Sequence, residues 1–389
     1  MLRLHDKTTR RPGPAVISTH LIPAAALLLA ACAGMPVAED AEDRADRARE
    51  AARQDAGSDA TTVTEAWLSA MTPGDNIDSP AAWTSPSGQV LVIATAKATD
   101  RLVVYDGASG ETLRHVGRAG TAEGEFDRPN GVAVVDDLLF VVERDNRRVQ
   151  ALRLPEFSHV ASFGSDELDK PYGIWINRGA DSYEVYVTDA YMAGEDAQGE
   201  DIVPPLAGLD RRVHRFAVSR SGDGLSVRSL GAFGDTSPKG ALRVVESLWG
   251  DPANDRLLVA EEDETHANEF KVYDLQGRFT GRTFGADFLQ AQAEGIMLKA
   301  CADGGGWWVT TEQGKGRTVF HLFDRATLAH VGAVAGESVA NTDGIWLHDA
   351  PSQRFPDGVL YAVHDDQGVV ALDWRDIAGA LDLPACARK

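Results

Sequence analysis

The residues best able to do chemistry in this chain are carboxylates, and they are densest in the stretch 245–264, VESLWGDPANDRLLVAEEDE. Glu246 stands just ahead of a turn containing Asp251, Pro252, Asn254 and Asp255, and the apolar run 257–260 then delivers Glu261, Glu262, Asp263 and Glu264 in succession. Four adjacent acids repel one another unless water or a cation screens them. The run is therefore either a solvated loop or the edge of a site that holds a hard cation through oxygen ligands. Acids recur at comparable points elsewhere, at Asp78, Glu143, Glu294, Glu312, Asp343, Asp365 and Asp366. Other chemistries are poorly served. His214, His266, His321, His348 and His364 lack ligand spacing, no nucleophile-elbow motif accompanies Ser and His, and Gly304-Gly305-Gly306 reads as a hairpin turn.

What must position these acids is a repeated unit of short strands. Each unit gives an apolar strand, a turn, a second strand ending in polar residues, a third ending in a pair such as Tyr105-Asp106, Tyr273-Asp274 or Phe323-Asp324, and usually a fourth ending in Gly. Units at periods of roughly 40 to 70 residues, six in all, predict an all-β chain folded as a six-bladed β-propeller. The segment 63–71 is expected to supply the strand that closes the ring. Trp83, Trp175, Trp249, Trp307, Trp308 and Trp346 are expected to pack between blades. Inner strands of a propeller converge on a channel, so acids at equivalent blade positions meet there, and an irregular oxygen set suits calcium better than magnesium.

Composition narrows the partners. With 59 acidic against 38 basic residues the formal net charge is −21, which excludes a nucleic-acid binder of the basic-stripe type. An anionic ligand would have to be received by bound cations or by a few placed Lys and Arg residues. At the N-terminus, Arg3, Lys7, Arg10 and Arg11 precede an apolar run, 21–31, that is short for a membrane span. Its end, Leu29-Ala30-Ala31-Cys32, resembles a lipobox. Residues 1–32 are thus expected to be a lipoprotein signal peptide with Cys32 lipidated, 33–61 an Ala-rich acidic tether, and 62–389 the propeller. The expected product is a monomer anchored by its lipid in a bacterial cell envelope. Cys301 and Cys386 either form a disulfide or stay as two buried thiols.

Taken in order, Asp78-Ser79-Pro80-Ala81-Ala82-Trp83, Leu102-Val103-Val104-Tyr105-Asp106, Tyr172-Gly173, Ala260-Glu261-Glu262-Asp263-Glu264, Glu294-Gly295, Thr342-Asp343-Gly344-Ile345 and Trp374 resemble the blocks of the β-propeller phytases. These are calcium-dependent phosphatases acting on myo-inositol hexakisphosphate (phytate). The resemblance implies several Ca2+ ions held by Asp78, Glu246, Glu262, Glu294 and Asp343, and phosphate contacts from Lys97, Arg147 and Tyr172. It implies hydrolysis of phytate or a related phosphomonoester. There are departures. Val187-Thr188-Asp189-Ala190-Tyr191 lacks the family's second phosphate-binding Lys, Ser247 replaces a Gly, and Ser79, Gln292 and Asn341 stand where acids are expected. Fewer acids should mean fewer or weaker calcium sites. Two alternatives stand beside this: a propeller lactonase with one calcium and a neutral pocket, and an NHL-type binding propeller, which the segment 124–131, GEFDRPNG, resembles.

Overall fold

Why the chain alternates fully apolar strands with half-polar ones is visible in a computed structural model, which describes residues 59–387 except Glu264. Two short strands open it, β1 (Thr61–Val63) and β2 (Trp67–Leu68). Five four-stranded units follow. The first is β3 (Ile77–Thr84), β4 (Val90–Ala96), β5 (Arg101–Asp106) and β6 (Thr112–Val116); the second is β7 (Pro129–Val135), β8 (Leu138–Glu143), β9 (Arg148–Arg153) and β10 (Ser158–Phe163). The third holds β11 (Pro171–Arg178), β12 (Ser182–Asp189), β13 (Val213–Ser221) and β14 (Gly224–Phe233). The fourth holds β15 (Leu248–Asp251), β16 (Arg256–Glu261), β17 (Glu269–Tyr273) and β18 (Phe279–Phe284). The fifth holds β19 (Gln292–Ala300), β20 (Gly306–Gln313), β21 (Val319–Asp324) and β22 (His330–Gly336). The last has β23 (Ile345–His348), β24 (Val359–His364) and β25 (Gly368–Asp373).

These units pair antiparallel within six separate sheets, and the inner strands β3, β7, β11, β15, β19 and β23 touch one another in a closed ring. The protein is a six-bladed β-propeller. Second strands are sandwiched between neighbouring blades, so β4 (VLVIATA) and β8 (LLFVVE) are buried along their whole length, whereas the outermost β6 and β14 are largely uncovered. Closure works as the sequence suggests, with an addition. The strand β2 hydrogen-bonds antiparallel to β25 and completes the sixth blade, while β1 runs parallel to β22 as a fifth strand of the fifth. Thr61, assigned above to the tether, therefore belongs to the folded domain. The Glu65 carboxylate holds this segment in place by accepting the backbone N–H groups of Ser338 (2.8 Å) and Val339 (2.9 Å).

The indoles divide. Trp175 presses on Gly250 of the next blade, where a Cβ would sit 2.1 Å from its ring, and Trp83 donates its Nε1–H to Asp136 O of the next blade at 2.9 Å. Trp249 and Trp346 belong to blades that are not neighbours. They meet edge to face with centroids 5.7 Å apart and line the channel interior, so they seal it instead of cementing a blade interface. After β25 the helix α1 (Trp374–Ala380) is N-capped by Asp373, which accepts the Arg375 N–H. Beyond it Cys386 is disulfide-bonded to Cys301, clipping the C-terminal segment to the β19–β20 turn. The signal-peptide and Cys32 expectations, and the tether as far as residue 58, lie outside the described residues. Among those described, no helix is long and apolar enough to cross a membrane.

Candidate active site

A break in register recurs at the start of the inner strands. It falls between Ile77 and Pro80, Pro129 and Val132, Pro171 and Ile174, and Ala293 and Ile296. Such an irregularity bends a strand and re-aims a side chain. Each break contains a polar residue followed by a small one: Asp78-Ser79, Asn130-Gly131, Tyr172-Gly173 and Glu294-Gly295, with Glu246-Ser247 and Asp343-Gly344 in the corresponding place before β15 and β23. The small residue is a steric requirement. A Cβ on Gly173 would lie 2.0 Å from the Glu246 carbonyl oxygen, and one on Gly131 would lie 2.3 Å from that of Tyr172. Second-strand hydroxyls lock the arrangement. Thr188 accepts the Gly173 N–H (2.7 Å) and donates to Glu246 O (2.8 Å), as Thr95 accepts from Ser79 N (3.1 Å) and donates to Asn130 O (2.7 Å).

On one side of the mouth, Lys97, immediately after β4, places its Nζ 2.9 Å from the Asp78 carboxylate and 3.6 Å from that of Asp343. It donates to the Tyr172 hydroxyl at 3.2 Å, which in turn donates to Asp78 at 3.1 Å. Burial alone would lower the Lys97 pKa, but Asp78, Tyr172, Asp343 and Asp366 outweigh it and hold it well above the usual lysine value. Burial, then Asp78 and Glu246, push the Tyr172 phenol well up, so it stays a donor. Asp343, which also accepts from the Gln313 amide, is pushed up by burial while Lys97 pulls it down.

The facing wall is different. Glu246, Glu262 and Glu294 each offer a carboxylate oxygen within 4.8 Å of the others. Glu262 and Glu294 are buried. Burial, then Glu294 and Glu246, raise the Glu262 pKa well above the carboxylate range; burial, then Glu246, Asp343 and Asp78, do the same for Glu294, against a pull from Lys315. One Glu262 oxygen, Oε2, is buried without any hydrogen-bond partner. Buried like charges with an orphaned oxygen call for protons or a cation, and an all-carboxylate donor set fits calcium or magnesium.

Adjacent acids have unlike roles. Glu261 accepts the backbone N–H groups of Arg243 (3.0 Å), Val244 (3.2 Å) and Asp263 (3.3 Å), so it shapes the loop that presents Glu246 and is not a ligand. Asp263 caps a turn through Thr265 N at 2.9 Å, and Glu264 lies outside the described residues. Glu143 is tied up by Arg148 (2.8 Å) and Gln150 (2.7 Å), and Glu312 by His321 (2.8 Å). Asp366 accepts from the Asn341 amide at 3.0 Å. Of the five acids expected to bind metal, the structure thus brings Glu246, Glu262 and Glu294 together and turns Asp78 and Asp343 toward Lys97.

The mouth holds an enclosed cavity of about 60 Å³, below the span of small-ligand sites, so a ligand would place only part of itself inside and the rest over the rim. Its walls include Lys97, Tyr172, Glu246, Glu294, Asp343, Gln292 and Gln313, together with four bases that sequence reasoning passed over: Arg128, Arg144, Lys170 and Lys315. Their signal was positional. Arg128 and Lys170 directly precede inner strands and Arg144 directly follows β8, the same loop ends that carry the acids. Arg147 is placed elsewhere. It sits in the left-handed backbone region (φ 52°) and lines a neighbouring cleft with Tyr191 and Arg211, apart from the residues that line the mouth with Lys97 and Tyr172.

No protein-family model matches the chain, and no curated protein matches it. Among solved structures it is similar to hydrazine synthase of Kuenenia stuttgartiensis, at 13% identity over 82% of this chain and 81% of that chain, with a TM-score of 0.45. The fold assignment rests on the strand pairings above. Fold and site together define a six-bladed propeller with a mixed-charge pocket at its channel mouth.

Proposed function

We propose that the protein is a calcium-dependent phosphomonoesterase acting on phytate or a related phosphorylated small molecule. The observation that carries this reading is one pocket lined by Glu246, Glu294, Lys97 and Tyr172, with Glu262 closing on the two glutamates and its Oε2 buried without a hydrogen-bond partner. The three glutamates would hold the ion. Bound there, calcium supplies positive charge to a phosphoryl oxygen and lowers the pKa of a coordinated water.

The chain's own residues supply the rest. Lys97 keeps its charge and Tyr172 its proton, for the reasons given above, so both can donate to phosphate oxygens. Asp78 touches both and fixes their direction. Preorganised donors of this kind stabilise charge that develops on oxygen during phosphoryl transfer. The bases Arg128, Arg144, Lys170 and Lys315 let a polyanion approach a protein whose net charge is −21. That rim argues against a lactonase, which would want a neutral pocket, and a pure binding propeller leaves the orphaned Glu262 oxygen without a purpose. Phosphate release from myo-inositol hexakisphosphate is expected with calcium and is abolished by a chelator; no release at any calcium concentration overturns the proposal.

A further inference from the structure

Between β12 and β13 the chain makes a long excursion at the channel mouth, and it carries an acidic hairpin, 193–202. Ala193 and Ile202 are joined by a backbone hydrogen bond of 2.8 Å, Glu195 pairs with Asp201, and the side chains from 193 to 202 are exposed. Asp201 nevertheless reaches the pocket wall, where its carboxylate is ion-paired with Lys170. Lys170 stands in the wall shared by the central pocket and the neighbouring cleft. Its backbone is fixed, because buried Asp189 accepts the Lys170 N–H at 2.7 Å, but its ammonium is not. The paired side chains are 29% and 37% exposed, and an ion pair in such a setting holds weakly.

We propose that this hairpin is an acidic gate on the pocket: Asp201 occupies the Lys170 ammonium, and a phosphate-bearing ligand binds by taking Lys170 away from it. The inference rests on the pocket receiving phosphate. A lysine ammonium on a flexible stem changes acceptors without moving the backbone. A phosphate dianion makes charge-assisted hydrogen bonds through several oxygens and can outbid a carboxylate, whereas a monoanion gains little. Lys170 is then a binding residue, and Asp201 sets how much anionic charge a ligand needs. Lys97, by contrast, is held by the buried Asp78 and stays where it is.

The test is equilibrium binding of inorganic phosphate, by calorimetry in calcium-containing buffer at low salt, to the wild type and to Asp201→Asn, Glu200→Gln, Lys170→Met and Asp201→Asn/Lys170→Met. Asp201→Asn should tighten binding about three- to fivefold, the scale of a surface ion pair. Glu200→Gln removes the same charge from the same hairpin without touching that pair, and should change binding less than twofold. Lys170→Met should weaken binding, and adding Asp201→Asn to it should change nothing further. An unchanged affinity in Asp201→Asn, or an equal gain in Glu200→Gln, overturns the gate and leaves the anion pocket standing. No phosphate binding by either the wild type or Asp201→Asn overturns both. The expected binding pattern without any phytate hydrolysis overturns the catalytic reading alone.

Discussion

On the first-blade side of the channel mouth, Asp78 and Asp343 close on Lys97 at 2.9 and 3.6 Å, whereas on the fourth-blade side Glu246, Glu262 and Glu294 face one another within 4.8 Å. The two walls are built alike. In both, an acid from an inner-strand bend meets the residue that directly follows a second strand: Lys97 after β4 and Glu262 after β16. A base at that position gives a wall its own counter-ion, and an acid there adds a third carboxyl to a wall that already holds two. Buried charge without a partner is unfavourable by several kcal/mol, so this single exchange of sign separates a structural ion pair from a candidate metal site.

The strongest way to break the comparison is to remove the internal cation. Lys97→Met leaves Asp78 and Asp343 without it, and in chelator should reduce unfolding free energy by about 3–5 kcal/mol. Added calcium should recover part of that loss, because the first wall then resembles the second. Denaturant unfolding in chelator and in calcium measures both, and an equal loss in the two conditions contradicts the equivalence of the walls.

A smaller effect separates the mouth from the acid sensitivity of the fold as a whole. His348, hydrogen-bonded to Thr84 at 2.9 Å in the sixth blade, has its pKa lowered from 6.5 to about 4, chiefly by burial. Between those values the unfolded chain binds a proton that the folded one refuses, so this group's contribution to stability is present above pH 6.5 and is lost as pH falls toward 4. His348→Asn should flatten the decline over that window by about 2 kcal/mol and leave the calcium response of the mouth unchanged. A variant with the wild-type slope would place the acid sensitivity elsewhere.

Much of the architecture was legible because blades repeat. Strand number and the closing segment near Trp67 follow from period and position along the chain, which also place the glutamates 246, 262 and 294 in a longer set of acids at blade ends; only the family resemblance singled them out. What could not be read was through-space pairing. Asp78 and Glu294 occupy like bends, and nothing local says that one meets a lysine and the other two glutamates. Glu261 and Glu262 are chain neighbours, yet strand alternation points one at backbone amides and the other at the channel. Arg147 looked equivalent to a pocket residue, but its left-handed turn places it in the next cleft. The acidic excursion at Asp201 interrupts the repeat, so periodicity carried no information about where it lands.

The most direct measurement is thermal unfolding of the wild type and Glu262→Gln across a calcium titration. The wild type should be stabilised progressively, by about 2.7 kcal/mol once calcium reaches a hundredfold excess over its dissociation constant. Glu262→Gln should lose most of that gain while melting no lower than the wild type in chelator, because it takes one ionisable group out of a buried cluster of three carboxyls that repel one another. The same calcium-induced shift in both proteins would contradict the central claim and remove Glu262 from any metal site.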